Sequence, residues 1–260
     1  MSNTVEVVTR QSSLTGSTSF RYLKKASPPF DDRVFDDQRL ATEGLLQGTA
    51  EAGRGNTYYV EIAGHELVLR HYRRGGLARQ ISQSRYFYTG LERTRAVMEF
   101  SVLLRLARLG LPAPRVYACQ VSRHGLSYAA SLVTYRIPGQ TLANLLKSGN
   151  TEPSLWKCVG ICIAQFHQHG LCHADLNAHN IMIDSLGRVS LLDFDRARFR
   201  VAPLSGPTSG WRAKNIARLK RSLSNLASSD LPADLPRAEQ LEADWVQLLT
   251  AWKNTLTGIS

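Results

Sequence analysis

Residues 169–200 read HGLCHADLNAHNIMIDSLGRVSLLDFDRARFR. A polar, turn-forming run holding His173, Asp175 and Asn180 is followed by the apolar segment IMID, the turn SLGR and a second apolar segment, VSLLDF. Two short strand-like segments around a Gly-containing turn predict a hairpin with polar groups at its mouth. Asp175 and Asn180 precede the first strand and Asp193 ends the second, so pairing the strands gathers the three side chains. An amide oxygen and a carboxylate suit Mg²⁺, a hard cation that takes oxygen ligands and keeps substrate phosphates as its other partners. The remaining carboxylate then faces an acceptor and receives its proton, which is the layout of phosphoryl transfer.

The rest of the chain fits an enzyme-sized unit. Its 260 residues are 43% hydrophobic and 20% charged, which excludes wholesale disorder. Against 21 Asp and Glu stand 32 Lys and Arg, a net charge of +11 that favours anionic partners without choosing among phosphates, nucleic acid and an acidic membrane surface. The N-terminal stretch lacks a basic region followed by an apolar run, and no window of eighteen uninterrupted apolar residues occurs, so the chain reads as cytosolic and at most peripheral on a membrane. Cys119, Cys158, Cys162 and Cys172 show neither zinc-site spacing nor disulfide density; for Cys158 and Cys162, on one apolar helical face, the reading is buried reduced thiols.

Upstream, residues 1–40 are polar, with acidic pairs at Asp31, Asp32, Asp36 and Asp37, and read as a loosely packed N-terminal arm. Residues 41–137 read as a β-rich lobe. Runs from Thr57 to Ala63 and from Glu66 to Tyr72 surround a Gly-containing turn, a helix from Leu91 to Leu109 stops at Gly110 and Pro112, and SYAASLVTYRI is a further strand. Residues 138–260 read as a compact helical lobe, with short and longer helices in TLANLLKSG and residues 153–169. The fold class is therefore α+β.

The run HADLNAHN resembles the catalytic loop of protein-kinase-like enzymes, and LLDFD resembles their metal-binding segment. The resemblance implies a bilobal fold, ATP and Mg²⁺ as cofactors, Asp175 as catalytic base, His173 as a brace of the loop, and Asn180 and Asp193 as metal ligands. Two departures stand out. Asn177 lies where serine/threonine kinases usually carry lysine, and Asp195 where glycine follows Asp-Phe, which argues against a flipping switch segment. In LVLRHY the expected strand lysine is replaced by Arg70, a planar fork rather than a point charge. Glu99 shares a helical row with apolar Ala96, Leu103 and Leu106, and a carboxylate on a buried stripe needs a counter-charge, for which Arg70 is the candidate. Gly53 and Gly55 precede a strand where a loop covers ATP phosphates in such enzymes, and Thr134, Tyr135 and Arg136 match the linker whose backbone meets adenine.

Only 67 residues follow Asp193 and no Ala-Pro-Glu motif occurs, which argues against a polypeptide acceptor. Seven arginines lie between Arg70 and Arg95 against one acid, and eight Lys or Arg between Arg196 and Ser222 against none. These runs suggest an anionic acceptor and an anionic membrane surface; nucleic acid is not an expected partner. Together with VLRHYRRGGL and WRAKNIARLKRSL, the motifs resemble bacterial 3-deoxy-D-manno-octulosonic acid (Kdo) kinases of lipopolysaccharide synthesis, over about residues 40 to 225. That resemblance implies transfer of the ATP γ-phosphate to the 4-hydroxyl of the Kdo sugar on a Kdo-lipid A precursor, at the cytoplasmic face of the inner membrane of a Gram-negative bacterium. The alternatives are a RIO-like atypical protein kinase, against which Arg70 and the RHYRRGG run count, and a catalytically dead scaffold binding membrane or RNA. Aminoglycoside phosphotransferases fit less well, since they line the acceptor site with acids.

Overall fold

The computed structural model describes residues 4–11, 16–49, 57–72, 86–149, 151–229 and 238–258. Two compact units divide the chain: Met1–Leu104 with Pro114–Arg136, and Arg105–Ala113 with Ile137–Ser260. The first is β-rich and the second mainly helical, the α+β architecture of the protein-kinase-like fold.

In the first unit, β1 (Val5–Gln11), β2 (Gly16–Leu23), β3 (Leu46–Thr49), β4 (Thr57–Ile62), β5 (His65–His71), β6 (Tyr86–Phe87), β7 (Val116–His124) and β8 (Ser127–Tyr135) form one antiparallel sheet, accompanied by α1 (Asp37–Thr42) and, as far as Leu104, by α2 (Arg95–Arg108). Strand order is β1-β2-β7-β8-β5-β4-β3, with β6 added to β8. The β4–β5 hairpin closes with Ile62 opposite His65, and both turn residues, Ala63 and Gly64, have positive φ (49° and 74°), as a two-residue turn matched to strand twist requires. This register buries Val60, Leu67 and Leu69 with Tyr117, Ala118 and Val133.

The expectation of a loose arm over residues 1–40 is corrected. β1 and β2 form a hairpin, and β2 pairs with β7 from Gly16↔His124 to Tyr22↔Ala118. One acid of each pair is a helix cap: the Asp31 carboxylate accepts from the Arg33 N–H at 3.0 Å, and Asp36 accepts from the Arg39 N–H at 3.1 Å. These caps start the turns that deliver Val34, Phe35 and Leu40 to the core beside Phe20. The helix predicted from Leu91 is broken at Thr94, whose extended backbone (φ −74°, ψ 147°) separates a 3₁₀ turn at Leu91–Arg93 from α2. Beyond the break the apolar row holds, with Ala96, Leu103 and Leu106 buried.

The second unit contains β9 (Gln140–Thr141), α3 (Leu142–Lys147), α4 (Pro153–Gln168), β10 (Leu171–Cys172), β11 (Ile181–Ile183), β12 (Val189–Leu191), β13 (Arg198–Phe199), α5 (Gly210–Ser229) and α6 (Ala238–Thr257). β11 lies between β12 and β9, and β10 pairs with β13. Helices α4 and α6 cross closely at Gly160, where a Cβ would stand 2.3 Å from the Leu248 carbonyl oxygen. Trp156, Val159, Ile163 and Phe166 of α4 and Leu248 and Trp252 of α6 are buried. All four cysteines are free thiols; Cys162 is buried as expected, whereas Cys158 faces solvent.

Candidate active site

The hairpin predicted from the sequence is β11–β12, in the register Ile181↔Leu191 to Ile183↔Val189. Its mouth is organised by His173, which is buried. The ring Nδ1 accepts the Asp175 backbone N–H at 3.2 Å, so Nε2 carries the proton and donates to the Leu192 carbonyl at 2.8 Å. Burial lowers the pKa of this imidazole, keeping it neutral and the tautomer fixed. One ring thus ties the loop before β11 to the residue before Asp193.

The Asp175 carbonyl accepts two side-chain amides, Asn177 Nδ2 at 3.1 Å and Asn180 Nδ2 at 2.9 Å. Asn177 also caps the 3₁₀ turn Ala178–Asn180, its Oδ1 accepting from the His179 N–H at 2.9 Å. With its nitrogen committed, Asn180 offers Oδ1 to a cation. Its backbone carbonyl accepts the Leu192 N–H at 2.9 Å, joining the two strands next to Asp193. Asp193 adopts a left-handed backbone (φ 57°), a conformation that Asp tolerates better than most residues. Next to it, Phe194 is buried, stacked on Phe166 at 5.8 Å and against His173 at 5.1 Å. Asn180 Oδ1 and the Asp193 carboxylate, whose Oδ1 accepts the Asp195 N–H at 3.3 Å, are hard-oxygen donors of the type Mg²⁺ takes. No group of three or more His, Cys, Asp and Glu capable of holding a metal occurs among the described residues.

Helix α5 supplies residues that sequence reasoning missed. Asn215 clamps His173 by both backbone groups, its Oδ1 accepting the His173 N–H at 3.0 Å and its Nδ2 donating to the His173 carbonyl at 2.8 Å. The same Oδ1 accepts from His167 Nε2 at 3.4 Å, while His167 Nδ1 accepts the Trp252 indole N–H at 3.0 Å. Burial pushes the His167 pKa down to about 3. One turn along α5, Arg218 binds Asp175: Nε and Nη2 both donate to Oδ1, at 3.0 and 2.5 Å. A further turn brings the Ser222 hydroxyl, which accepts the Ala178 N–H at 3.2 Å. Positions 215, 218 and 222 share one helical face, and this polar row was the available signal. Not every base in the run expected to form an anion-facing surface does so: Arg212 is buried and donates to the carbonyls of His167 (2.8 Å) and Pro207 (2.9 Å).

In the first unit, Arg70 of β5 and the buried Glu99 of α2 form an ion pair. Two neighbours not anticipated from sequence complete the cluster. Tyr72, two residues along and thus on the same strand face as Arg70, donates its hydroxyl to Glu99 at 2.5 Å. Arg95, one turn before Glu99, stacks over the Tyr72 ring at 5.2 Å. Burial among these groups raises the Tyr72 pKa well above its ordinary range, so the phenol stays a donor.

Thr134 and Tyr135 end β8, followed by Arg136, and all three are half-buried. The Tyr135 N–H donates to the Arg115 carbonyl at 2.8 Å and the Arg136 N–H to the Glu66 carbonyl at 3.0 Å. Those two amides are engaged within the unit. The Arg136 guanidinium pairs with Glu66 at 2.8 Å. Gly53 and Gly55, and Arg73 to Gly76 of the basic run, lie outside the described residues.

Known proteins resemble this chain over most of its length. Residues 38–252 match the Lipopolysaccharide kinase (Kdo/WaaP) family. The 3-deoxy-D-manno-octulosonic acid kinase of Stenotrophomonas maltophilia (strain R551-3) is 40% identical over 221 residues, 84% of this chain and 83% of that one. Its counterpart in Xylella fastidiosa (strain 9a5c) is 41% identical over 180 residues, 69% of this chain and 70% of that one. The enzyme of the same description in Xanthomonas campestris pv. campestris (strain B100) is 40% identical over 217 residues, 78% of this chain and 84% of that one. Among the described residues, no helix is long and apolar enough to cross a membrane.

Proposed function

Because the chain belongs to the lipopolysaccharide kinase (Kdo/WaaP) family, we propose that it catalyses ATP-dependent phosphorylation of a Kdo sugar on a lipid A precursor, at the 4-hydroxyl, in lipopolysaccharide core biosynthesis. The observation that carries this reading is the presentation of Asp175. Its backbone is held from both sides by His173, Asn177 and Asn180, and Arg218 uses only Oδ1. Oδ2, which meets no donor among the described residues, is the oxygen that receives the acceptor's hydroxyl proton as the hydroxyl oxygen attacks the γ-phosphorus and ADP departs. A positioned base contributes roughly 10²- to 10⁴-fold.

Asn180 Oδ1 and Asp193 are the ligands we assign to Mg²⁺, which when bound offsets the charge of the transferring phosphoryl group. The neutral His173 holds no proton of the reaction; it fixes where Asp175 stands. In the first unit, we assign the guanidinium of Arg70, aligned by Glu99 and Tyr72, to the nucleotide phosphates. Backbone groups of Thr134, Tyr135 and Arg136 are assigned to adenine, and Gly53 and Gly55 to the phosphate-covering loop. A net charge of +11 supports work on an anionic glycolipid as a peripheral protein at the cytoplasmic face of the inner membrane.

The test is transfer of labelled γ-phosphate from Mg-ATP to a Kdo-bearing lipid A precursor in detergent, with a generic protein acceptor in parallel. Phosphorus–proton correlation spectra of the product should place the new phosphate on the carbon bearing the 4-hydroxyl. Label on another carbon would overturn the regiochemistry, and label on protein alone would overturn the acceptor class.

A further inference from the structure

Beside Asp175 the second unit holds an open cavity of about 460 Å³, lined by Asp175, Asn177 and His179 from the loop and Arg218, Arg221 and Asn225 from α5, with Ser222 and Leu226 at its wall. That volume falls within the roughly 300–1,000 Å³ of small-ligand sites. Two guanidiniums, one carboxylate and several polar side chains line it. The Asp175 charge is matched by Arg218, while Arg221 meets no acid among the described residues. The cavity therefore has one cation in excess, in a wall whose helix is tied to the loop by Asn215, Arg218 and Ser222.

We infer that this cavity is the subsite for the acceptor's sugar acid, with Arg221 binding its carboxylate and Arg218 bridging between that carboxylate and Asp175. The inference rests on the function proposed above and adds where the acceptor sits and which group selects it. An ulosonic acid carries its carboxylate and its hydroxyls on one sugar, so an oxygen placed at Asp175 Oδ2 leaves the carboxylate within the same small cavity. The planar guanidinium fork suits a carboxylate through paired N–H···O bonds. Arg218 already makes two bonds to one oxygen of Asp175, and both its groups are about half exposed, so turning toward an incoming carboxylate needs no buried charge to be stripped of its partner. A lipid phosphate offers the same charge, but it lies on a different residue of the glycolipid from the accepting hydroxyl.

The experiment compares three acceptors with the wild-type protein: the Kdo-lipid A precursor, its Kdo carboxyl methyl ester, and a form lacking the lipid phosphates but keeping the carboxylate. R221Q is run on the first two, with the KM for ATP measured alongside. The ester should raise the acceptor KM at least tenfold, whereas loss of the lipid phosphates should change it much less. R221Q should raise the KM of the acid acceptor at least tenfold, leave the KM of ATP in place, and add little further on the ester, since the group it binds is gone. An ester used as well as the acid overturns the inference while leaving the kinase reading intact, as does a KM that depends on the lipid phosphates instead. Penalties from R221Q and the ester that multiply independently also overturn it. No transfer by the wild-type protein to any of the three would bring down the kinase reading and the subsite together.

Discussion

Two arginine–carboxylate pairs, Arg70–Glu99 in the first unit and Arg218–Asp175 in the second, use the same chemistry in opposite surroundings. The Glu99 side chain is 5% exposed and Arg70 24%, whereas Asp175 and Arg218 are each 48% exposed. Around Glu99, Tyr72 and Arg95 close the cluster; around Asp175, one carboxylate oxygen and a cavity remain open. Removing one partner of a buried pair strands a charge in a poor solvent, while an exposed pair exchanges protein for water at little cost. The first pair is accordingly a fixed support that holds the Arg70 guanidinium in place, and the second remains open to solvent.

The largest expected effect on stability comes from breaking the buried pair. E99L should destabilise the protein by about 3 kcal/mol in denaturant unfolding, because Arg70 loses its counter-ion. The double variant R70M/E99L should recover most of that loss; a double variant as unstable as the single one would show that the pair itself, rather than a stranded charge, holds the sheet to α2. Next comes pH. The catalytic loop is braced through neutral imidazoles, with His167 held at about 3 against an ordinary 6.5. Between those values the unfolded chain binds a proton that the native one does not, so stability falls as pH drops through 6.5. From pH 7 to pH 5 the loss should be about 2 kcal/mol, and H167N should flatten that slope in unfolding measured across the range. The smallest effect is on the exposed pair: R218Q should shift the unfolding free energy by less than about 1 kcal/mol. A larger shift would place Arg218 with Arg70 as a scaffold residue and end the contrast.

What the sequence disclosed follows from distance along the chain. His173, Asp175, Asn180 and Asp193 flank a single short hairpin, so local spacing was enough to place them at its mouth. Glu99 was legible because a carboxylate on an apolar row stands out, and its partner lay on a strand with few other cations. Arg218 was read only as one base in a charged run, since nothing near it reports that α5 returns to the loop 43 residues upstream. Asn215 was missed for the same reason, although it shares a polar helical row with positions 218 and 222. The first forty residues misled through composition: β1 is largely exposed, so it carries little of the apolar alternation of a buried strand, and the acids of residues 31–37 read as part of a loosely packed arm, whereas Asp31 and Asp36 are caps. The other neighbour of β2 in the sheet, strand β7, is about a hundred residues away, and pairing at that range leaves no local mark.

The role of Asp175 as base is tested by the single-turnover rate of phosphate transfer by D175N, at saturating Mg-ATP and Kdo-lipid acceptor, beside the wild-type protein. D175N should transfer phosphate at a rate lower by roughly 10²- to 10⁴-fold, with an unfolding midpoint close to that of the wild type. A rate within about tenfold of the wild type, in a protein equally stable, would show that Asp175 is not the base and that the open oxygen beside the cavity serves another purpose.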